Sequence, residues 1–151
     1  MFAYSGAGRR LVLGLKHENA RPLVRSLARA MAVRARSERV DVVTWAPTSA
    51  ARRRGRGYDQ AEVLARAVAW RLGVPCRRLL ARVDDGRGPQ TGRSRAERLG
   101  GPAFVARRRV RGAVLLIDDV VTTGATLRAA EAALLGGGAH SVHCLAAAAT
   151  P

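Results

Sequence analysis

Aromatic residues make up only 4% of this 151-residue chain, and Lys16 is its one lysine. So few aromatics leave little material for the base-stacking platforms that hold single-stranded nucleic acid. Acidic residues are also scarce, 11 against 27 cations, for a formal net charge of +16. Arginine supplies the rest of those cations, spread from Arg9 to Arg128, and Ala, Arg, Gly and Val replace other residue types throughout, as a coding bias would produce. The charge by itself fits a solvated basic surface as well as a polyanion-binding one. No run approaches the roughly 18 apolar residues of a membrane span, and Leu11-Val12-Leu13 is too short for a signal-peptide core. A cytoplasmic protein with no membrane partner is expected. Cys76 and Cys144 are far apart and form no CxxC pair, so two separate buried thiols are expected rather than a disulfide or a zinc site. Neither GxGxxG nor GxxxxGK(S/T) occurs, which disfavours a Rossmann dinucleotide site and a P-loop.

What is present is globular. Hydrophobic residues at 48% and charged residues at 25% exclude wholesale disorder. The length suits one domain, over residues 1–151, that buries about 68–70% of its unfolded surface. Leu23, Leu27, Ala30, Met31 and Ala35 recur at helical spacing and predict a helix over 22–36. The β-branched run 41–46, stopped by Pro47, predicts a strand. Ala61, Leu64, Ala65, Val68 and Leu72 share one face of a helix that begins at Asp59 or Gln60 and ends at Gly73. A short second strand is expected within 74–80. Over 82–101 the pattern disappears into turn chemistry, as in a lid or a flexible loop. The continuous apolar run 113–117 has the character of a strand buried on both sides of a parallel sheet. A helix over 125–135, closed by Gly136-Gly137-Gly138, and a strand over 141–148 complete an α/β domain with a mostly parallel sheet.

The most informative segment is 114–126, VLLIDDVVTTGAT. Asp118 and Asp119 fall where a buried central strand should end, the usual place for ligands in open α/β sheets. Thr122, Thr123, Gly124, Ala125 and Thr126 then lead into a helix. Gly124 permits close backbone approach, the helix N-terminus offers unpaired N–H groups, and the hydroxyls add donors. Together these residues make a phosphate cradle beside two carboxylates that can accept hydrogen bonds from a sugar diol. Consecutive strand residues point to opposite faces, so the two carboxylates are expected to converge only if the strand has ended before them.

The segment VLLIDDVVTTGAT resembles the ribose-5-phosphate signature of type I phosphoribosyltransferases. Other segments resemble the ComF family of competence-associated proteins with that fold. Residues 4–16 resemble its lead-in to a Lys-Tyr pair, here Lys16-His17. Pro47, Arg52, Arg54 and RGYDQA at 56–61 resemble its P…R…RGFNQA segment, with Asp59 in place of Asn. Pro89-Gln90-Thr91-Gly92, Ser94, Arg95 and Arg98 resemble PQTGLSRxxR, and the family's N-terminal zinc ribbon is not expected in this chain.

The resemblance implies a type I phosphoribosyltransferase fold: a mostly parallel central sheet flanked by helices, a long flexible loop and a small N-terminal hood. It implies 5-phosphoribosyl 1-diphosphate as ligand, with Mg²⁺ held mainly through the substrate. Asp118 and Asp119 would form the catalytic pair and hold the ribose hydroxyls. The segment Val121, Thr122, Thr123, Gly124, Ala125 and Thr126 would hold the 5-phosphate. Pro47, Thr48, Ser49, Arg52 and Arg56 would hold the diphosphate, and Gln90, Thr91, Arg95 and Arg98 would belong to the closing loop. The activity implied is transfer of the phosphoribosyl group to an acceptor the sequence does not identify. The alternative is a non-catalytic protein of the same fold in DNA uptake, sensing that ligand or partnered by single-stranded DNA or a competence helicase. A dimer is compatible with either. His140 and His143 lack a Cys or carboxylate partner in sequence and are not expected to bind metal; Trp70 is expected in or near the core.

Overall fold

A computed structural model of the chain describes residues 21–49, 53–55, 57–83 and 102–149. The elements follow in the order α1 (Arg21–Ala35), β1 (Val42–Trp45), α2 (Gln60–Leu72), β2 (Leu80–Arg82), β3 (Phe104–Ala106), β4 (Ala113–Val121), α3 (Ala125–Gly136) and β5 (Ser141–Ala149). Strands β1, β4 and β5 form a parallel sheet in that spatial order, while β2 and β3 pair antiparallel in a separate ribbon. The α/β architecture with a parallel sheet flanked by helices is therefore the one expected. The hood expected before residue 21 and loop residues 84–101 lie outside the described residues, as do Arg52, Arg56, Gln90, Thr91, Arg95 and Arg98.

Strand alternation divides the core into two layers. Val43, Trp45, Leu115 and Ile117 face α1 and α2, where Ala28, Met31, Leu64 and Val68 meet them. Val42, Val114 and Leu116 face the other way, onto Ala130 and Leu134 of α3 and onto Leu80 and Phe104 of the ribbon. β4 is central and covered on both faces, and Leu115, Leu116 and Ile117 are completely buried. Each such side chain contributes about 1.5–3 kcal/mol of transfer free energy. Asp59 caps α2 through its side chain, and Gly73 closes that helix in the left-handed conformation (φ 70°) that a side chain disfavours.

Several expectations need correction. The second strand expected within 74–80 is reduced to one parallel bridge, Cys76 opposite Val43. Pairing stops there because the Leu79 N–H donates to the Thr44 hydroxyl at 3.3 Å, and the chain then leaves the sheet to pair with β3. The patternless stretch beginning at residue 82 starts inside that ribbon: Arg82 lies opposite Phe104, and the Val83 N–H donates to the Ala103 carbonyl. β4 runs to Val121 rather than stopping at residue 117, because β5 continues to pair with it as far as Ala149. Trp70 is 80% exposed, with the Arg71 guanidinium over its ring, whereas Trp45 is the buried tryptophan. Cys76 and Cys144 are free thiols, but half-buried rather than buried.

Candidate functional site

β1 ends opposite the middle of β4. Trp45 is paired with Ile117, the Ala46 N–H donates to the Ile117 carbonyl, and β4 then extends four residues further against β5 alone. The helix after β1 lies on one face of the sheet and the helix after β4 on the other. The chain therefore leaves in opposite directions from neighbouring strands, which makes the β1–β4 boundary the switch point of the sheet. In open α/β sheets the crevice outside the carboxyl ends of the strands at such a point is where ligands bind.

Asp118 and Asp119 open the overhang. Because the strand continues, its alternation starts Asp118 toward the α3 face and Asp119 toward the α2 face. The two carboxyls nonetheless meet through a side-chain hydrogen bond, and each is also tied to the backbone. Asp118 Oδ1 accepts the Asp119 N–H at 2.8 Å, and Asp119 Oδ1 accepts the Val120 N–H at 2.9 Å. Asp118 is buried and Asp119 half-buried. Burial, then the negative charge of Asp119, pushes the Asp118 carboxyl up to about 8, with Asp59 adding to the rise. Around neutral pH Asp118 therefore keeps a proton that an ordinary aspartate has lost.

The loop after β4 turns sharply into α3. Gly124 takes φ 75°, a left-handed conformation, and is the N-cap of α3 with no capping side chain. Thr123 Oγ1 accepts the Ala125 N–H at 3.4 Å, and the Arg128 N–H donates to the Gly124 carbonyl. Helix geometry leaves the N–H groups of Thr126 and Leu127 without a carbonyl one turn back, and the positive end of the helix dipole points the same way. Thr122 and Thr123 are exposed, while Gly124, Ala125, Thr126 and Val121 are half-buried. Arg128 was not singled out from the sequence, yet its Nη1 lies 2.8 Å from where a Cβ on Gly124 would stand. Its signal was the spacing: a residue four beyond Gly124 lies over the first turn of the helix.

Across the notch, Pro47 is buried and Thr48 and Ser49 are half-buried. Pro47 has no N–H, and the Thr48 N–H is already donated to Asp59 Oδ2 at 3.0 Å. Neither residue therefore offers a backbone donor to an anion. Residues 53–55 are helical, the Arg53 N–H donating to the Ser49 carbonyl and the Gly57 N–H to the Arg53 carbonyl, with Arg53 and Arg54 exposed. Burial raises the Asp59 carboxyl above the ordinary range, and Asp119 adds to that rise. The structure thus brings together the start of the β1 loop, the N-terminus of α2 and the acidic pair. Among the described residues, no group of three or more His, Cys, Asp or Glu side chains is placed to hold a metal ion.

The parallel sheet β1-β4-β5 flanked by helices is the type I phosphoribosyltransferase fold, which the chain shares with solved structures of that class. Comparison with solved structures gives the particular relatives of that class. The chain is similar to the glutamine phosphoribosylpyrophosphate amidotransferase of B. subtilis, solved in complex with ADP and GMP, with a TM-score of 0.58 and 26% identity over 82% of this chain and 26% of that one. It is similar to an allosteric regulatory enzyme of purine biosynthesis, with a TM-score of 0.56 and 25% identity over 82% of this chain and 25% of that one. It therefore spans about a quarter of the length of those two chains. The purine phosphoribosyltransferase of Pyrococcus horikoshii shares the fold, with a TM-score of 0.55 and 19% identity over 83% of this chain and 72% of that one. No protein-family model matches the chain, and no curated protein matches it significantly.

Proposed function

We propose that the chain binds 5-phosphoribosyl 1-diphosphate together with Mg²⁺ in the switch-point crevice and transfers the phosphoribosyl group to an acceptor. One observation carries this reading: β4 outruns β1 at the switch point, and the first two residues of the overhang are Asp118 and Asp119. Asp118 and Asp119 accept hydrogen bonds from the ribose hydroxyls. The N–H groups at the start of α3 and the hydroxyls of Thr122, Thr123 and Thr126 hold the 5-phosphate, with Arg128 as countercharge. Ser49, Arg52 and Arg56 serve the diphosphate.

The residues present suit a metal carried by the substrate. Mg²⁺ keeps several waters and is bound mainly through phosphate oxygens with one or two carboxylates, so the lack of a described three-ligand cage is no obstacle, and half-buried Asp119 would be the carboxylate that meets it. When bound, it neutralises the departing diphosphate. Cleavage of the bond between the anomeric carbon and the diphosphate builds positive charge on the sugar and negative charge on the leaving group. Oriented carboxylates and fixed cations therefore matter more than a protein nucleophile. Calorimetric titration with 5-phosphoribosyl 1-diphosphate and Mg²⁺ should give saturable heat that Asp118→Ala or Asp119→Ala abolishes. Unaltered binding in both variants would sink the assignment.

A second reading, suggested by the ComF resemblance, is a non-catalytic protein of DNA uptake. Arg107, Arg108, Arg109 and Arg111 favour it, being exposed on the connection into the other end of β4, away from the crevice. Single-stranded DNA binding with a steep salt dependence, flattened when these four are replaced by Gln, would support this alternative.

A further inference from the structure

Within that reading, one buried carboxylate lies outside the acidic pair. Asp59 is 5% exposed, and both of its oxygens are engaged. Oδ1 accepts the Ala61 N–H at 3.1 Å, the ordinary bond of a helix N-cap. Oδ2 accepts the Thr48 N–H at 3.0 Å, eleven residues earlier in the loop that follows β1. Capping α2 requires only the first bond, and Asn or Ser would cap it equally well with no charge.

The charge is costly where it lies. It is buried, Asp119 repels it, and it borders the loop assigned to an anionic group. What Asp supplies and Asn does not is a second acceptor oxygen: an Asn at this position would accept one N–H and present its own NH₂ to the other. The anchor behind the bond is firm, because Ala61, Leu64 and Ala65 seat the first turns of α2 in the core.

We propose that Asp59 is a positioning residue for the diphosphate subsite, fixing Thr48 against α2 and so setting where its neighbour Ser49 stands. It touches no ligand atom itself. It determines where Ser49 stands relative to Asp119.

The test uses the full chain, with inorganic pyrophosphate plus Mg²⁺ and ribose 5-phosphate as separate probes. Asp59→Asn and Asp59→Ser retain a capping oxygen, so both should keep the wild-type helical circular dichroism. Both should speed hydrogen exchange at the Thr48 amide and weaken pyrophosphate binding, each roughly tenfold, while leaving ribose 5-phosphate affinity unchanged. A merely structural role would weaken both probes together, and that outcome overturns the proposal. So does unchanged exchange at Thr48, or pyrophosphate affinity that both variants retain. If the wild type binds neither probe, the reading of the crevice falls and the positioning role with it; if the wild type binds both and the variants match it, only the positioning role falls.

Discussion

Trp45 lies opposite Ile117 in the parallel ladder, and it is the last residue of β1 to have a partner on β4. The Asp119 N–H, two residues beyond Ile117, lies on the same edge of β4 and has lost its β1 acceptor. The Asp118 side chain accepts that N–H instead. The acidic pair therefore has a structural task at the free edge of β4 as well as a place in the crevice, and it is organised before any ligand arrives.

The buried member of the pair should link stability to pH. Its carboxyl titrates at about 8 in the folded chain against 3.8 as a free side chain. Between those values the folded chain holds a proton that the unfolded chain has released, so this group's contribution to stability falls as pH rises through the window and is flat above it. Asp118→Asn keeps an oxygen for the Asp119 N–H and removes the charge. It should match the wild type near pH 4 and exceed it above pH 8 by on the order of a few kcal/mol. Urea unfolding of both proteins across this range is the measurement. The difference between them is what counts, because self-repulsion of a strongly basic chain changes with pH in both.

The same proton should appear in ligand binding. Hydroxyls bond more strongly to an ionised carboxylate than to a protonated one, so a phosphosugar held by Asp118 favours release of its proton. Affinity for 5-phosphoribosyl 1-diphosphate should rise with pH up to about 8, where the Asp118 carboxyl titrates, and level off above it. Calorimetry near neutral pH, in buffers of different ionisation enthalpy, should register release of up to about one proton per ligand, fading above the carboxyl's pKa. Binding with no proton release would place the sugar hydroxyls elsewhere.

Much of the frame was legible in the residues. The run ending at Ile117 announced a strand buried on both faces, and Gly73 announced the end of α2. The threonine-glycine turn after Val121 announced a helix start beside two acids. The failures have physical causes. β3 has only three residues, too few for a period to register, and its partner β2 lies across the undescribed loop. The end of β4 depends on β5, about 28 residues ahead in the chain, which no local pattern reveals. Thr48 and Asp59 meet only because α2 packs back on the sheet. Trp70 is different: it stands two residues from both Val68 and Leu72, about 200° around the helix, so the periodicity pointed outward and the aromatic character was given too much weight.

That contrast between the tryptophans is measurable. Trp45 is 3% exposed and Trp70 80%. Trp70→Phe should leave a blue-shifted emission that iodide barely quenches, while Trp45→Phe should leave a red-shifted, quenchable one. Trp45→Ala should cost about 3–5 kcal/mol of stability, whereas Trp70→Ala should stay within about 0.5 kcal/mol of the wild type. Equal quenching of both tryptophans would contradict the packing of α2 on β1.

The turn into α3 offers the sharpest separation of backbone from charge. Gly124→Ala places a Cβ on a left-handed backbone and drives it toward the Arg128 guanidinium. The strain should lower stability by about 1–2 kcal/mol, and the displaced arginine and distorted N–H groups should weaken ribose 5-phosphate binding. Arg128→Gln leaves the backbone untouched and removes only an exposed cation, so its melting temperature should equal that of the wild type. Its affinity for ribose 5-phosphate should fall several-fold at low salt and approach the wild-type value near 1 M salt, where the screening length is about 3 Å. Isothermal titration of both variants at low and high salt distinguishes the two effects. A loss in Gly124→Ala that persists at high salt, together with a loss in Arg128→Gln that salt removes, is the expected pair. An Arg128→Gln protein that binds as the wild type does at low salt would remove the guanidinium from the phosphate cradle.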